Sequence, residues 1–265
     1  LDLLGTLPLD AGASEPVRLV VTPDLQTMVV HRHELGFLEE EGERIVTTDP
    51  FDDAPVAVVP LSGGEVVVGT SDTLHVLEWV GGMLERTGGV KLENGRTLAA
   101  LAPHGDQVLA VWRTLRGFGG ALWDLEALAA GGAPAVTLAL PASLGDFLGL
   151  LSLPAGPAAL FGQSELPGPA VLPFETLVSE APAPMASALG IPSLVGATPD
   201  GRLAIWAGDS GGEQLVRLFW YDADEGFSPY ASYRLERKAS GPTCDPSGLW
   251  LYIPVPELDM ISVTQ

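Results

Sequence analysis

A short turn returns along this chain, and each copy lies between two short apolar runs. Three copies contain Pro followed by Asp or Ser: Thr22-Pro23-Asp24-Leu25, Thr198-Pro199-Asp200-Gly201 and Asp245-Pro246-Ser247-Gly248. Looser copies lie between them: Leu61-Ser62-Gly63-Gly64, Pro103-His104-Gly105-Asp106 and Leu153-Pro154-Ala155-Gly156. Pro presets the first turn dihedral, and Gly or Asp tolerates the positive φ of a tight reversal. The copies recur every 40–50 residues, roughly, which predicts six repeating units of four short strands each.

The charge of the chain narrows the classes of partner. The net charge is −21, with 13 Lys and Arg against 34 Asp and Glu. Phosphate backbones and anionic membrane surfaces are bound through Lys and Arg, so we expect neither nucleic acid nor membrane as a partner. The acidity is typical of a soluble chain.

Cysteine content and hydropathy bear on the compartment. Cys244 is the single cysteine, so no intrachain disulfide forms. No apolar run approaches the ~20 residues of a membrane span, and no signal peptide is visible. We expect a soluble protein, with the cytoplasm slightly favoured and the compartment and oligomeric state left open.

The apolar runs group into blades, each a four-stranded antiparallel unit, within one domain over residues 1–265. They are predicted at residues 17–48, 55–92, 97–140, 147–180, 193–236 and 240–265. The last group is one strand short, and the segment Asp2–Leu9 (residues 2–9) has no other place. We predict that it supplies the missing outer strand, which closes a six-bladed β-propeller and covers an exposed edge.

The fourth group has the weakest pattern. Its last strand is predicted at Thr176–Ser179. Two helical turns are predicted as well, at Leu125–Ala130 and Met185–Leu189. Both are short, because Gly131-Gly132 and Gly190 would end them.

An aromatic residue followed by Asp ends the third strand in two groups, as Leu122-Trp123-Asp124 and Trp220-Tyr221-Asp222. With the Pro-Asp-Gly turn, this ending resembles β-propellers of the WD40 or YVTN-like kind, over essentially the whole chain. The chain departs from true WD40 repeats in lacking their Gly-His dipeptide, and only the third group contains Trp-Asp. The resemblance implies an all-β propeller, a fold that mostly serves as a binding platform and in a minority of members as an enzyme.

One segment looks catalytic. Gly208-Asp209-Ser210-Gly211-Gly212 fits the G-x-S-x-G pattern of nucleophilic serines. The last histidine, His104, lies far upstream, which excludes the chain order of an α/β-hydrolase. The segment also falls where the fifth group needs the loop between its second and third strands. We therefore predict a loop here and no catalytic residue.

Histidines and acidic residues are the candidate metal ligands of this chain. His31 and His33 would share one face of a strand, and with a third ligand they could hold zinc. Asp49, Asp52 and Asp53 could bind Ca²⁺, but their spacing is not that of known calcium loops. We expect ordinary surface side chains in both places, with no metal and no cofactor.

A cationic segment with an aromatic residue is unusual in so acidic a chain. Arg113, Arg116 and Phe118 fall in the predicted long loop of the third group, and Arg and aromatic side chains are frequent binding anchors. The alternative is a loop held by ion pairs with the acidic surface. Loops at the same end of the ring complete the predicted partner-binding face: His31, Arg32, His33, Asp52, Asp53, Arg113, Arg116 and Phe118.

Three functions follow from this reading. The preferred one is a non-enzymatic binding module or scaffold for a protein partner or a sister domain. A metal-dependent hydrolase of the lactonase type would need carboxylates converging from the inner strands, which are almost wholly apolar, while the single Asn94 lies in a turn. The third possibility is a structural or regulatory domain of a longer protein.

Overall fold

The computed structural model of the chain describes residues 3–8, 18–22, 26–30, 33–39, 42–140, 145–162, 170–177, 185–186, 194–197, 203–210, 213–222, 226–235, 243–244, 251–255 and 260–264. These residues form six four-stranded antiparallel sheets and two short helices. The chain divides into two compact units: unit 1 comprises Leu1–Asp52 with Pro192–Gln265, and unit 2 comprises Asp53–Ile191.

Three sheets of unit 2 take their strands in chain order. They are β6 (Ala57–Pro60), β7 (Val66–Gly69), β8 (Thr73–Val80) and β9 (Met83–Lys91); β10 (Thr97–His104), β11 (Gln107–Thr114), β12 (Gly117–Asp124) and β13 (Val136–Leu140); and β14 (Asp146–Leu153), β15 (Gly156–Gly162), β16 (Ala170–Pro173) and β17 (Met185–Ala186).

Unit 1 also contains three sheets, and one of them joins both ends of the chain. Two follow chain order: β2 (Arg18–Val21), β3 (Thr27–Val30), β4 (Leu35–Glu39) and β5 (Gly42–Ile45); then β18 (Leu194–Ala197), β19 (Leu203–Ser210), β20 (Glu213–Asp222) and β21 (Gly226–Leu235). The third has the order β1 (Leu3–Pro8), β24 (Met260–Thr264), β23 (Leu251–Val255) and β22 (Thr243–Cys244).

The N-terminal strand pairs with the last strand, as the sequence predicts. Strand β1 is antiparallel to β24, with Leu7 opposite Ile261 and Gly5 opposite Val263. Strand β22 of the same sheet contacts β2 and β18, so within unit 1 this sheet lies between the other two. The N-terminal segment therefore supplies the fourth strand of the sheet that would otherwise be one strand short.

The core of unit 2 lies on both faces of its middle sheet, which is formed by β10, β11, β12 and β13. Strand β10 contacts β6 and β7 on one side, and β14 and β15 on the other. Alternate residues of β11 enter different clusters: Val108, Ala110 and Trp112 enter the first, and Leu109 and Val111 the second. A strand covered on both faces reads as a continuous apolar run instead of an alternating one, which explains the sequence VLAVW.

The two predicted helical turns have different outcomes. Helix α1 (Leu125–Ala129) forms as predicted, and Gly131 follows its end with φ of +70°. Met185–Ala186, the start of the other predicted turn, is instead strand β17, which pairs with Ala170 and Val171 of β16.

The strand predicted at Thr176–Ser179 is wrong for Thr176 and Leu177, because Phe174–Leu177 is helix α2. Residues 178 and 179 lie outside the described residues. Residues three apart share one face of a helix but point to opposite faces of a strand. A helical turn lets Leu177, which is 5% exposed, and Phe174 pack on the same core cluster.

Helix α1 packs against β8 and β9 at a point where β9 has no side chain. A Cβ on Gly88 would overlap the carbonyl oxygen of Ala129 in α1. The ladder between β8 and β9 also shifts register here, between Val76 and Leu77, which marks a bulge. The close approach of the helix backbone therefore requires glycine at position 88.

Replacing Gly88 with Ala is expected to lower the free energy of unfolding by roughly 1–3 kcal/mol, because the backbone of α1 must move away from β9. The matched control is Gly162→Ala, whose Cβ would meet only the Leu148 side chain at 3.5 Å. Urea unfolding followed by circular dichroism measures both. Equal unfolding midpoints for the two variants would contradict the packing described here.

Candidate binding site

The hairpin between β11 and β12 is much tighter than the predicted long loop. Thr114 pairs with Gly117, so only Leu115 and Arg116 form the turn. The Thr114 hydroxyl donates to the Gly117 carbonyl oxygen at 3.1 Å and accepts from the Arg116 N–H at 3.2 Å. Gly117 takes a φ of +130°, which favours glycine. The prediction of a long loop is therefore wrong: Arg113 and Phe118 are strand residues.

Phe118 is partly buried, although the sequence predicted it in a loop as a binding anchor. Its ring centroid lies 5.4 Å from that of Phe147, and the Phe147 centroid lies 5.7 Å from that of Phe161. Phe161 is 1% exposed and belongs to the second core cluster, against which Phe118 and Phe147 pack. Phe118 is therefore the outer member of an aromatic row that reaches into the core.

Two arginines stack on aromatic rings at this end of the middle sheet. The Arg113 Cζ lies 5.4 Å from the Phe118 ring centroid, and the Arg96 Cζ lies 4.7 Å from the Trp112 ring centroid. Neighbouring residues of a strand point to opposite faces, so Trp112 and Arg113 place one such pair on each face of the sheet. Arg96 is not recognisable as part of this site from the sequence, because only the pairing of β10 with β11 brings it here.

The arginines differ in their ion pairs. Arg96 Nη2 lies 2.5 Å from Glu93 Oε2. Across the described part of the chain, neither Arg113 nor Arg116 makes an ion pair, although both side chains are exposed. The described residues therefore do not support the alternative, in which ion pairs with the acidic surface hold this segment.

Leu115 stands at the tip of the hairpin and is fully exposed, at 102% of its reference area. A single exposed leucine is common on protein surfaces. Here it lies between two exposed arginines on a short turn fixed by Thr114. We name the set Arg96, Arg113, Leu115, Arg116 and Phe118 the arginine edge.

Charges in unit 2 are unevenly distributed between its two ends. The Leu98 N–H donates to the Ser71 carbonyl and the Leu92 N–H to the Asp72 carbonyl, so the β7–β8 loop, the end of β9 and the start of β10 lie together. Four cations are at this end: Lys91, Arg96, Arg113 and Arg116. The opposite end, where β10 turns into β11, has acidic residues: Glu65, Asp106, Asp124 and Glu126.

The arginine end also contains acidic residues, most of them bonded to a neighbour. The Ser71 hydroxyl donates to Asp53 Oδ2 at 2.7 Å, and Lys91 Nζ lies 3.1 Å from Asp72 Oδ2. A hydrogen bond from Thr73 and the ion pair with Lys91 hold the pKa of Asp72 below its ordinary value. Asp53, predicted to bind a partner, thus serves to hold the β7–β8 loop. Asp146, at the start of β14, is exposed.

Of the predicted binding residues in unit 1, the structure describes His33 and Asp52. His33 and Phe51 are joined twice: the Phe51 N–H donates to the His33 carbonyl at 2.7 Å, and His33 Nδ1 lies 2.6 Å from the Phe51 carbonyl oxygen. A carbonyl only accepts, so Nδ1 carries the proton. Asp52 is exposed, and His31 and Arg32 lie outside the described residues. His33 therefore links two loops of unit 1.

No group of three metal-ligating side chains comes together among the residues that the structure describes. The serine motif lies where the sequence predicted it, at the connection between the second and third strands of its sheet. Its first residues are strand and not loop, because Asp209 and Ser210 end β19 and pair with Gln214 and Glu213 of β20. Gly211 and Gly212 lie outside the described residues.

Comparison with known proteins places the fold. No family model and no curated protein sequence matches the chain. The WD40 repeats of RRP9 superpose with a TM-score of 0.64 at 11% identity, covering 98% of this chain and 97% of that one. The β-propeller domain of Cps50 (Swd1) from Myceliophthora thermophila gives 0.61 at 11% identity, covering 99% and 98%. A Kuenenia stuttgartiensis hydrazine synthase chain gives 0.62 at 13% identity, covering 97% and 78%.

These similarities define the class of fold. The chain is an all-β propeller with four-stranded antiparallel blades, and it is similar in structure to WD40 propellers. In the described segments, no helix is both long enough and apolar enough to cross a bilayer.

The lowered pKa of Asp72 leads to a titration experiment. Thr73→Val and Lys91→Met are each expected to raise the pKa of Asp72 toward its ordinary value, because the Thr73 hydrogen bond and the interaction with Lys91 both lower it. In the unmodified protein, the ion pair is present above the lowered pKa and is lost as pH falls through it. Carboxyl chemical shifts measured by NMR against pH report these values. A pKa unchanged by Thr73→Val would contradict the assignment.

Proposed function

We propose that the chain is a non-enzymatic binding module, built as one six-bladed propeller, which binds a protein partner through the arginine edge. The closed ring is supported by the pairing of β1 with β24 and by the position of that sheet between its neighbours in unit 1. The binding role is supported by WD40 propellers among the similar structures, one of them in a mitotic checkpoint complex.

One observation favours this end of the molecule. Arg113, Leu115 and Arg116 are exposed on a hairpin turn held by Thr114, and no ion pair involves either arginine within the described segments. The turn backbone is fixed by Thr114, and Arg113 is held on the Phe118 ring, so ordering this segment on binding costs less conformational entropy than ordering a mobile loop. Arg is also enriched among residues that dominate interfaces. The remaining predicted residues, His31, Arg32, His33, Asp52 and Asp53, stay part of the proposed partner-binding set, although His33 and Asp53 also hold loops within their own units.

An enzymatic alternative has less support. Some similar structures are enzymes, such as hydrazine synthase and a member of carbohydrate-active enzyme family AA12, so the fold alone does not decide. The buried polar or charged residues that the structure describes are three threonines, Thr22, Thr47 and Thr70. The inner strands of the proposed ring in unit 2 are the first strands of its sheets, β6, β10 and β14. Their one carboxylate is Asp146, which is exposed at the start of β14. No observation favours a lactonase-like site over the binding module.

The proposal is tested by affinity capture with a variant of the edge. Leu115→Ser combined with Arg116→Ala is expected to reduce the captured partner about tenfold or more, since loss of an interface anchor costs on the order of 2 kcal/mol. Both side chains are exposed, so the unfolding midpoint should not change.

The control alters exposed residues elsewhere. Val80 is 47% exposed on the β8–β9 hairpin, which starts at the arginine end and turns at the opposite end, and Arg217 is exposed on β20. Val80→Ser with Arg217→Ala should capture as much partner as the unmodified protein. Equal losses in both double variants, or none in either, would refute the arginine edge as the binding site.

A further inference from the structure

We propose that the arginine edge binds an acidic peptide segment of its partner, whose carboxylates pair with Arg113 and Arg116 while an apolar side chain covers Leu115. This inference rests on the proposed function and names the chemistry of the partner at the same site.

The first argument is the distribution of charge. Five cations occur between Asp53 and Ile191, and four of them lie at the arginine end: Lys91, Arg96, Arg113 and Arg116. The chain as a whole has a net charge of −21, so most of its surface attracts cations and repels anions. A basic partner would find many sites on such a surface. An acidic segment is attracted locally by Arg113 and Arg116, which make no ion pair within the described residues, whereas the carboxylates of Asp53, Asp72 and Glu93 at the same end are already bonded to neighbours.

The cations at the arginine end differ in whether they are already in an ion pair. Arg96 is engaged by Glu93, and Lys91 is engaged by Asp72. Arg113 and Arg116 make no ion pair within the described residues, and stacking on Phe118 holds the Arg113 guanidinium in place. A planar guanidinium binds a carboxylate through two parallel hydrogen bonds. A partner carboxylate would therefore find a positioned donor at Arg113 and a second one three positions later at Arg116.

The acidic residues around the arginine edge limit the size of the anion that can bind there. Nucleic acids and anionic membranes are extended polyanions, which would bring charge within a Debye length of about 10 Å of the acidic residues around the edge. Asp53, Asp72, Glu93 and Asp146 lie at the same end of unit 2. A short segment with few carboxylates contacts the arginines without facing this acidic surround, which favours a peptide.

The experiment measures binding of defined peptides by fluorescence anisotropy. The probe is a short labelled peptide with one central Leu and two Glu residues; in a second peptide Gln replaces both Glu, and in a third Ser replaces Leu. The unmodified protein is expected to bind the Glu peptide at least about tenfold more tightly than the Gln peptide, and more weakly as salt rises. Replacing Leu by Ser should weaken binding about fivefold.

Protein variants assign the contacts. Arg113→Gln and Arg116→Gln should each weaken binding of the Glu peptide about five- to twentyfold, as expected for a lost charge-assisted pair. Arg113→Lys should recover only part of the affinity, because lysine lacks the planar fork. Arg217→Gln removes an exposed arginine from β20 and should change the affinity less than about twofold.

The outcomes separate this inference from the proposed function. Equal affinity for the Glu and Gln peptides, or an equal loss with Arg217→Gln, would overturn the acidic-peptide inference; the binding module would still stand if partner capture depends on Leu115 and Arg116. Sedimentation that shows a dimer abolished by Arg113→Gln would also overturn it, since the occupant would be a second copy of this chain.

Discussion

The middle sheet of unit 2 has to be covered on both faces, and this constraint governs much of what the described residues show. Strand β11 buries Val108, Ala110 and Trp112 on one side, and Leu109 and Val111 on the other. One neighbouring sheet could cover only one of these faces, so the sheet requires a partner on each side. Polar side chains are then left to the ends of the strands. The arginine edge lies at such an end, where Arg96 and Arg113 stack on rings that the core holds in place.

Much of the fold could be predicted from the sequence, because its strongest signals are local. Turns with Pro, Gly and Asp mark where strands reverse. The last group is one strand short, which predicts that the N-terminal segment completes it, and β1 supplies that strand. The prediction at Thr176 failed for a non-local reason. Whether that segment is helix or strand depends on which arrangement brings Phe174 and Leu177 onto a core made by other sheets. The bend of β9 around α1 at Gly88 likewise depends on residues about 40 positions later in the chain.

The candidate site was predicted in part. Arg113, Arg116 and Phe118 stood out because the chain has so few cations, and the structure brings them together on one hairpin. Leu115 was missed because the two turn positions, Leu115 and Arg116, hold none of the Gly, Asn or Asp that usually mark a two-residue reversal. The turn is fixed from its flanks, by the Thr114 hydroxyl and by the positive φ of Gly117. His33 and Asp53 looked available but bond to Phe51 and Ser71, each 18 positions away, which no local pattern indicates.

The central claim is that the tip of the β11–β12 hairpin touches the partner. Site-specific photo-crosslinking tests it most directly, with a benzoylphenylalanine placed at Leu115 in one variant and at Val80 in another. Both positions are exposed on hairpins of unit 2, but at opposite ends. The account predicts cross-links to the partner from position 115, mapped by mass spectrometry to an acidic stretch, and none from position 80. Cross-links from position 80 alone would contradict it.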